Sequence, residues 1–399
     1  MKVLIADKLS EKAATALRDF GAEVTVNPDL GSDDLPGVIN DTEVLVVRST
    51  KVLAQTIEAA PSLSLIIRAG AGVNTIDLDK ASSHGIHVAN CPGKNTDAVA
   101  ELAMGLLIAC DRRIVDASND LKNGKWRKKE YQKSNGLKTR TLGIVGFGSI
   151  GKALSERAKG MDMHVAAWSR SLTEDIAEEL DIEYCATPEQ LAQKSDAISV
   201  HLAANGDTHH FIDSNFLNSM KNEAIFVNTS RGQVVDTEAL KKAISEKNLR
   251  VGIDVYENEP SGGNADFDDT EFAQMVTGTP HIGASTYQAS EAIADEVVRV
   301  FKNYVETGKP FNAVNIRDKK SKNNLVVRHY NRVGVLASVL DELRNEGINI
   351  EEMENTIFKG GEAASCTLLL DRAPSKDMVS GIKKMDNIIQ VMLKEGNKS

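Results

Sequence analysis

The fold class this sequence predicts is α/β: two parallel-sheet units in succession, followed by a small split βαββαβ unit. Three observations predict it. Short apolar runs alternate with helical patterns, first from Val3 to Ala89 and again from Leu142 to Thr277. A glycine-rich turn opens the second series. After a polar stretch, Asp318 to Asn324, the order of elements changes. Strand–helix alternation implies a parallel sheet with helices on both faces.

In the first series the strands are read as Val3–Ala6, Val24–Val26, Val44–Val47, Leu65–Ile67 and Ile86–Ala89. The apolar stretch Ala98 to Cys110 contains Glu101, is too short to span a bilayer, and reads as a buried helix. The second series places strands at Leu142–Val145, His164–Trp168, Ala197–Val200, Ala224–Asn228, Gly252–Val255 and Met275–Thr277. Ala289 to Val305 reads as a long helix that returns the chain to the first unit. The segment from Asp318 to Asn324 reads as a linker. Beyond it, Leu325–Tyr330, Asn349–Phe358, Ala363–Leu370 and Ile388–Leu393 read as strands, with helices over Val333–Gly347 and Ser375–Lys384. A unit of this size is near the lower limit for an independent core, so pairing with a copy is expected.

The 399 residues fit two or three domains, and a net charge of −10 argues against a nucleic-acid surface. An anionic substrate would then need a local cationic pocket. Cys91, Cys110, Cys185 and Cys366 are far apart and form no CxxC, so neither a zinc site nor a disulfide framework is suggested, and a reducing cytoplasm fits. The apolar run at the N-terminus is too short for a signal-peptide core.

The run from Leu142 to Val145 leads directly into Gly146-x-Gly148-x-x-Gly151 and a helical pattern. A dinucleotide pyrophosphate needs that arrangement. One glycine makes the tight turn, one lets the backbone approach the phosphates, and one lets the helix pack close to the strand. Open α/β sheets bind ligands beyond the C-terminal ends of their strands. Arg231, Glu259 and His281 all follow strands of this unit. Taken singly, each has a plain alternative: a solvated helix-start arginine, a loop carboxylate, a structural histidine. Together they supply a proton acceptor, a partner that fixes its tautomer, and a clamp for a carboxylate.

Gly146-x-Gly148-x-x-Gly151, Asn228-Thr-Ser-Arg231-Gly, Asp254-Val-Tyr-Glu-Asn-Glu259-Pro and Thr279-Pro-His281-Ile-Gly, in this order, resemble the D-isomer-specific 2-hydroxyacid dehydrogenases. The resemblance runs from residue 1 to about 316. Val47-Arg-Ser-Thr-Lys-Val52, Arg68-Ala-Gly-Ala-Gly-Val73, Gly93 to Glu101 and the Gly124-Lys-Trp126-Arg-Lys128 loop resemble the branch acting on a phosphorylated hydroxy acid. Arg328 to Ala337 with Gly347-Ile-Asn349-Ile350 resembles an ACT regulatory domain.

The resemblance implies a Rossmann cofactor domain (residues 93–284) inserted in a flavodoxin-like substrate domain (1–92 and 285–316), plus a C-terminal ferredoxin-like ACT domain (323–399). It implies oxidation of 3-phospho-D-glycerate at C2, with NAD as cofactor and NADP as the alternative, at the entry to L-serine synthesis. His281 would be the acid/base, Glu259 its partner, and Arg231 the ligand of the substrate carboxylate and carbonyl. Gly146, Gly148, Ser149, Ile150, Gly151, Ser169, Arg170, His201, Thr229 and Asp254 would contact the cofactor. Gly70, Ala71 and Gly72 would cradle the carboxylate, while Arg48, Ser49 and Lys51 meet the phosphate. Lys128 and Trp126 would reach a neighbouring subunit of a homodimer or homotetramer. L-Serine would bind as effector at His329, Asn331 and Asn349, with Gly334 allowing close backbone approach.

The chain departs from the family pattern at three places. Ser169 stands where an acidic residue should hold the adenosine ribose, and Arg170 follows it, which keeps NADP open. Ala203 stands where the family often has Pro, and Val333 where it usually has Pro. His209 and His210 find no metal partner in the sequence and read as surface residues. The competing readings are a glyoxylate or hydroxypyruvate reductase and a non-catalytic, nucleotide-sensing protein on the same fold.

Overall fold

A computed structural model describes residues 1–260, 265–317 and 323–395. The chain divides into two compact units, residues 1–316 and residues 317–399.

The first unit holds two parallel sheets. Strands β1 (Lys2–Ile5), β2 (Glu23–Val26), β3 (Val44–Val47), β4 (Leu65–Arg68) and β5 (His87–Asn90) form a sheet of order β2-β1-β3-β4-β5. Its side chains alternate between two cores, as strand geometry requires. Val3, Ile5, Val44, Val46, Leu65 and Ile67 pack against Ala14 and Leu17 of the first helix and against Ile293, Val297, Val300 and Phe301. Leu4, Leu45, Val47, Ile66 and Val88 face the other way, against Leu35, Ile57 and Ala81. The helix Tyr287–Thr307 therefore belongs to this sheet, although about two hundred residues separate it from β5.

Strands β6 (Thr141–Val145), β7 (His164–Trp168), β8 (Glu183–Tyr184), β9 (Ala197–Val200), β10 (Ile225–Asn228), β11 (Arg250–Ile253) and β12 (Thr277–Gly278) form the second sheet, of order β12-β11-β10-β9-β6-β7-β8. The order reverses between β6 and β9, which creates the crevice where such sheets bind ligands. The helix Thr96–Arg112 packs Ala103, Leu106, Leu107 and Cys110 onto one face of this sheet. β8 has no counterpart in the sequence reading because two residues, Glu183 exposed and Tyr184 half-buried, carry no periodicity. β11 begins two residues before its expected start, because the aliphatic Val251 pairs with Phe226 of β10.

In the second unit β13 (Asn323–Tyr330), β14 (Ile350–Ile357), β15 (Ala363–Leu370) and β16 (Ile388–Glu395) form an antiparallel sheet of order β14-β15-β13-β16, with helices Val335–Asn345 and Lys376–Lys383. This is the ferredoxin-like order and fits a small ACT-like domain. Leu325, Val327, Val339, Leu343, Cys366, Leu368 and Ile382 make its core. Most of the expected linker, residues 318–322, lies outside the described residues. No described helix is long and apolar enough to cross a membrane.

Candidate active site

The three glycines of the nucleotide turn have three separate reasons to be glycine. Gly146 has φ +92°, and a Cβ on it would stand 2.5 Å from the His201 carbonyl oxygen. A Cβ on Gly151 would stand 2.5 Å from the Gly146 carbonyl oxygen, so the helix Ser149–Gly160 could not pack this close to β6 with any larger residue. A Cβ on Gly148 would meet nothing within 4 Å. Its side is open, as a backbone that must admit a pyrophosphate requires. A cavity of about 210 Å³ adjoins this turn, lined among others by Trp168, Ser169, Arg170, His201 and Thr208.

Two buried polar atoms beside this crevice lack a partner among the described residues: His201 Nδ1 and Thr229 Oγ1. Both residues were expected to contact the cofactor. Orphaned buried polar atoms cost free energy, and a polar ligand removes that cost. Burial lowers the His201 pKa to about 4, so the ring is neutral, with Nε2 2.8 Å from Ser199 Oγ. The residues present thus fit a dinucleotide. Past the end of β7, Ser169 Oγ accepts from the Ser171 N–H (3.3 Å), and Arg170 lies 3.6 Å from Asp207, both of these charged side chains exposed.

At the other end the geometry is tighter. Asn228, at the end of β10, accepts from Ser230 N–H (3.0 Å) and Oγ (2.8 Å), and donates to the Arg231 carbonyl (3.0 Å). A Cβ on Gly232 would stand 2.0 Å from the Tyr256 backbone, so the residue after Arg231 must be glycine for the two strand ends to meet. Arg231 donates to the Ser230 carbonyl (2.6 Å) and reaches the loop after β4. A Cβ on Gly72 would stand 2.5 Å from its Nη2. The Arg231 guanidinium and the Gly72 backbone therefore meet.

His281 Nδ1 lies 2.7 Å from Glu259 Oε2. Burial works against ionisation of Glu259. The His281 hydrogen bond and charge, the Tyr256 N–H (3.0 Å) and Arg231 outweigh it and hold the carboxyl below the usual range. A carboxylate on Nδ1 leaves Nε2 as the nitrogen that can exchange a proton. His281 itself has φ +52°, a strained left-handed conformation for a non-glycine. Asp254, fully buried, holds that turn. It accepts from Thr279 Oγ1 (2.6 Å), Ile282 N–H (2.8 Å) and Gly283 N–H (2.8 Å), while its own carbonyl accepts from His281 N–H (2.8 Å).

The structure adds residues the sequence reading passed over. Arg68 ends β4 as Arg231 follows β10. Burial, with the charges of Arg231 and Arg48, pushes it down to about 10, and its Nε is buried without a partner among the described residues. A buried guanidinium that feels the charges of two others makes a site that an anion would relieve. The position of Arg68, a cation at the C-terminal end of a buried strand, was the available signal. Asp7, just past β1, accepts from the backbone N–H groups of Arg48 (2.6 Å), Ser49 (3.1 Å) and Thr50 (3.0 Å), fixing the loop that carries Arg48. Lys51 is exposed.

Lys128 is not brought to this place. It borders a depression lined by Arg112, Tyr131, Gln132, Ser134, Asn135 and Gly136, which shares no residue with the His281 site. Trp126 is 80% exposed, and the adjacent helix Ile114–Lys122 buries no residue.

In the second unit His329 is buried, with Nδ1 2.8 Å from the Tyr330 carbonyl and Nε2 3.4 Å from Asn355 Oδ1. Asn331 donates to the Gly361 carbonyl (3.0 Å) and is exposed, as is Asn349. Gly334 has a conformational reason to be glycine. A Cβ there meets nothing within 4 Å, and it is φ +88° at the helix start that calls for glycine. His209 and His210 are not as expected: Glu257 stands with them, its Oε1 2.6 Å from His210 Nε2.

Comparison with known proteins follows the same lines. The profile of the "D-isomer specific 2-hydroxyacid dehydrogenase, NAD binding domain" matches residues 104–283. A D-3-phosphoglycerate dehydrogenase of Methanocaldococcus jannaschii is 34% identical over 96% of this chain and 72% of its own length. A hydroxypyruvate reductase of Thermotoga maritima is 39% identical over 75% of this chain and 97% of its own. Among solved structures, an NAD+-bound 3-phosphoglycerate dehydrogenase of Entamoeba histolytica superposes with a TM-score of 0.66 at 26% identity, covering 79% of this chain and 99% of its own.

Proposed function

The chain belongs to the D-isomer-specific 2-hydroxyacid dehydrogenases, NAD-dependent oxidoreductases, and from that premise we propose that it oxidises 3-phospho-D-glycerate to 3-phosphohydroxypyruvate. The observation that carries this reading is the convergence of His281–Glu259 with three guanidiniums. Arg231 holds the substrate carboxylate and the C2 oxygen, with the Gly70–Gly72 backbone behind it. Nε2 of His281 takes the C2 hydroxyl proton, and ionised Glu259 stabilises the imidazolium that results. Asp254 fixes the turn on which His281 stands. Arg68 and Arg48 receive the phosphate, and their mutual repulsion without an anion favours a dianionic ligand. When bound, the nicotinamide supplies the hydride acceptor. His201, Thr229 and the Gly146–Gly151 turn hold the dinucleotide.

This reading places the enzyme at the first step of L-serine biosynthesis, with L-serine as effector at Asn331 and Asn349 of the ACT-like unit. The buried His329 holds the backbone just before Asn331 through the Tyr330 carbonyl. The exposed face of Ile114, Val115, Leu121 and Trp126 is where a second copy docks to make a homodimer or homotetramer, bringing Lys128 to its neighbour's site.

A second reading, reduction of hydroxypyruvate or glyoxylate, is favoured by the hydroxypyruvate reductase likeness across the first unit. Initial rates separate the two. With 3-phosphoglycerate, NAD and a step that removes product, kcat/KM should exceed that for D-glycerate by at least a hundredfold. Equal values would favour the reductase. Titrating L-serine by calorimetry, with Asn349→Ala as the control, tests the effector site.

A further inference from the structure

A second cluster of side chains lies beside the active site and takes no part in the reaction described. His209 and His210 are neighbours in sequence. In an extended strand their rings would point to opposite sides. Here His210 has φ +49°, and its N–H is held by the Gln233 carbonyl (2.9 Å), while His209 N–H bonds to the Asn205 carbonyl (3.1 Å). The turn brings both rings to one side, with centroids 4.0 Å apart and planes 30° from parallel. Glu257 comes from the segment after β11, with Oε1 2.6 Å from His210 Nε2. One ligand atom from each of His209, His210 and Glu257 lies within 4.8 Å of the others. A non-glycine residue in left-handed conformation is a costly way to build a surface turn, and here it orients two imidazoles toward a carboxylate.

We propose that His209, His210 and Glu257 bind a divalent transition-metal ion, Zn²⁺ in preference to Mg²⁺ or Ca²⁺. Two imidazoles and one carboxylate are the donor set of open three-ligand zinc sites, whereas Mg²⁺ and Ca²⁺ take oxygen ligands. The ion would replace the proton shared by His210 and Glu257. Zinc–nitrogen and zinc–oxygen bonds of about 2.1 Å at a tetrahedral angle separate the donors by about 3.4 Å, so Glu257 need withdraw by less than about 1 Å. His209 is exposed, with its ring against that of His210. The rest of the coordination sphere faces solvent.

The position gives the site a consequence. The 205–211 segment lines the dinucleotide cavity through Asn205, Asp207, Thr208 and Phe211. Glu257 is two residues from Glu259, whose carboxylate accepts the Tyr256 N–H. A metal bridging His209, His210 and Glu257 therefore ties the adenosine-side loop to the segment that positions the acid/base pair, and its occupancy should alter the KM for the dinucleotide.

The test uses the full chain and Co²⁺ as a spectroscopic probe. One equivalent of Co²⁺ should give visible ligand-field absorption, and Zn²⁺ should displace it stoichiometrically while tenfold excess Mg²⁺ does not. His209→Ala should weaken Co²⁺ binding at least tenfold without changing metal-free activity, because His209 does not line the dinucleotide cavity. His210→Asn, a residue that tolerates the left-handed backbone, should do the same if the fold is kept, which circular dichroism checks. Absence of the absorption, its displacement by Mg²⁺, or Co²⁺ binding unchanged in both variants would overturn the proposal.

Discussion

At the scale of the residue, neighbours rather than identity decide what each charged group does. Arg231 and Arg68 are both arginines at strand ends, and both were available in the sequence. Only the structure shows that Arg68 is buried with an unpartnered Nε and electrostatically coupled to Arg231 and Arg48. Replacing Arg68 by Gln should raise KM for 3-phosphoglycerate at least tenfold. It should leave KM for an unphosphorylated 2-hydroxy acid nearly unchanged. A uniform loss for both substrates would remove Arg68 from the phosphate. Arg170 is a subtler case. Its exposed pairing with Asp207 partly occupies the charge that would otherwise attract a 2′-phosphate. Because Ser169 leaves no strand-end carboxylate to repel a 2′-phosphate, steady-state kinetics with both cofactors should still show less than a hundredfold preference for NAD, and Asp207→Asn should move the ratio further toward NADP. A larger preference that Asp207→Asn leaves unmoved would show that the missing strand-end acid does not relax selection.

At the scale of the element, strands deliver the functional groups and one buried carboxylate ties the return helix down. Glu296 on the helix Tyr287–Thr307 is almost fully buried and sits 3.2 Å from Lys94, with Arg299 and Asn312 bonded to it. The Arg299 hydrogen bond, against burial and with help from Asn312 and Lys94, pushes its pKa down to about 2. A folded-state pKa below the unfolded value of about 4.3 stabilises the native state above that value. The contribution is lost as pH falls from about 4.5 toward 2, and is worth on the order of 2–3 kcal/mol at neutral pH. Glu296→Gln should thus lower the denaturation midpoint at pH 7, and the gap to the parent should narrow below about pH 4.5 and close only at about pH 2. A gap independent of pH would mean that packing, not charge, is lost.

The elements were legible because both series of buried strands are aliphatic runs bounded by turn residues, as at Val44–Val47 and Ala197–Val200. β8 was not legible, having two residues and no pattern. Nor was Asp7 as the anchor of the Arg48 loop, since a contact across 41 residues leaves no local trace. Glu257 escaped for the same reason, 47 residues from His210. The motifs carried His281, Glu259 and Arg231, whereas the role of Asp254 in holding the His281 turn shows only in three-dimensional bonding.

At the scale of the whole molecule, a parallel sheet that carries the dinucleotide turn and a second parallel sheet that carries cations make one unit, and a small antiparallel unit follows. The apolar face around Trp126 predicts self-association. Trp126→Glu should lower the molar mass measured by light scattering, whereas an unchanged mass would place the contact elsewhere. The account rests most heavily on His281 as the group that moves the proton. Turnover of 3-phosphoglycerate by His281→Ala, measured at saturating NAD, tests it most directly. The account predicts a loss of kcat of about a hundredfold to ten-thousandfold, with dinucleotide binding retained. A kcat within a few fold of the parent's would contradict it.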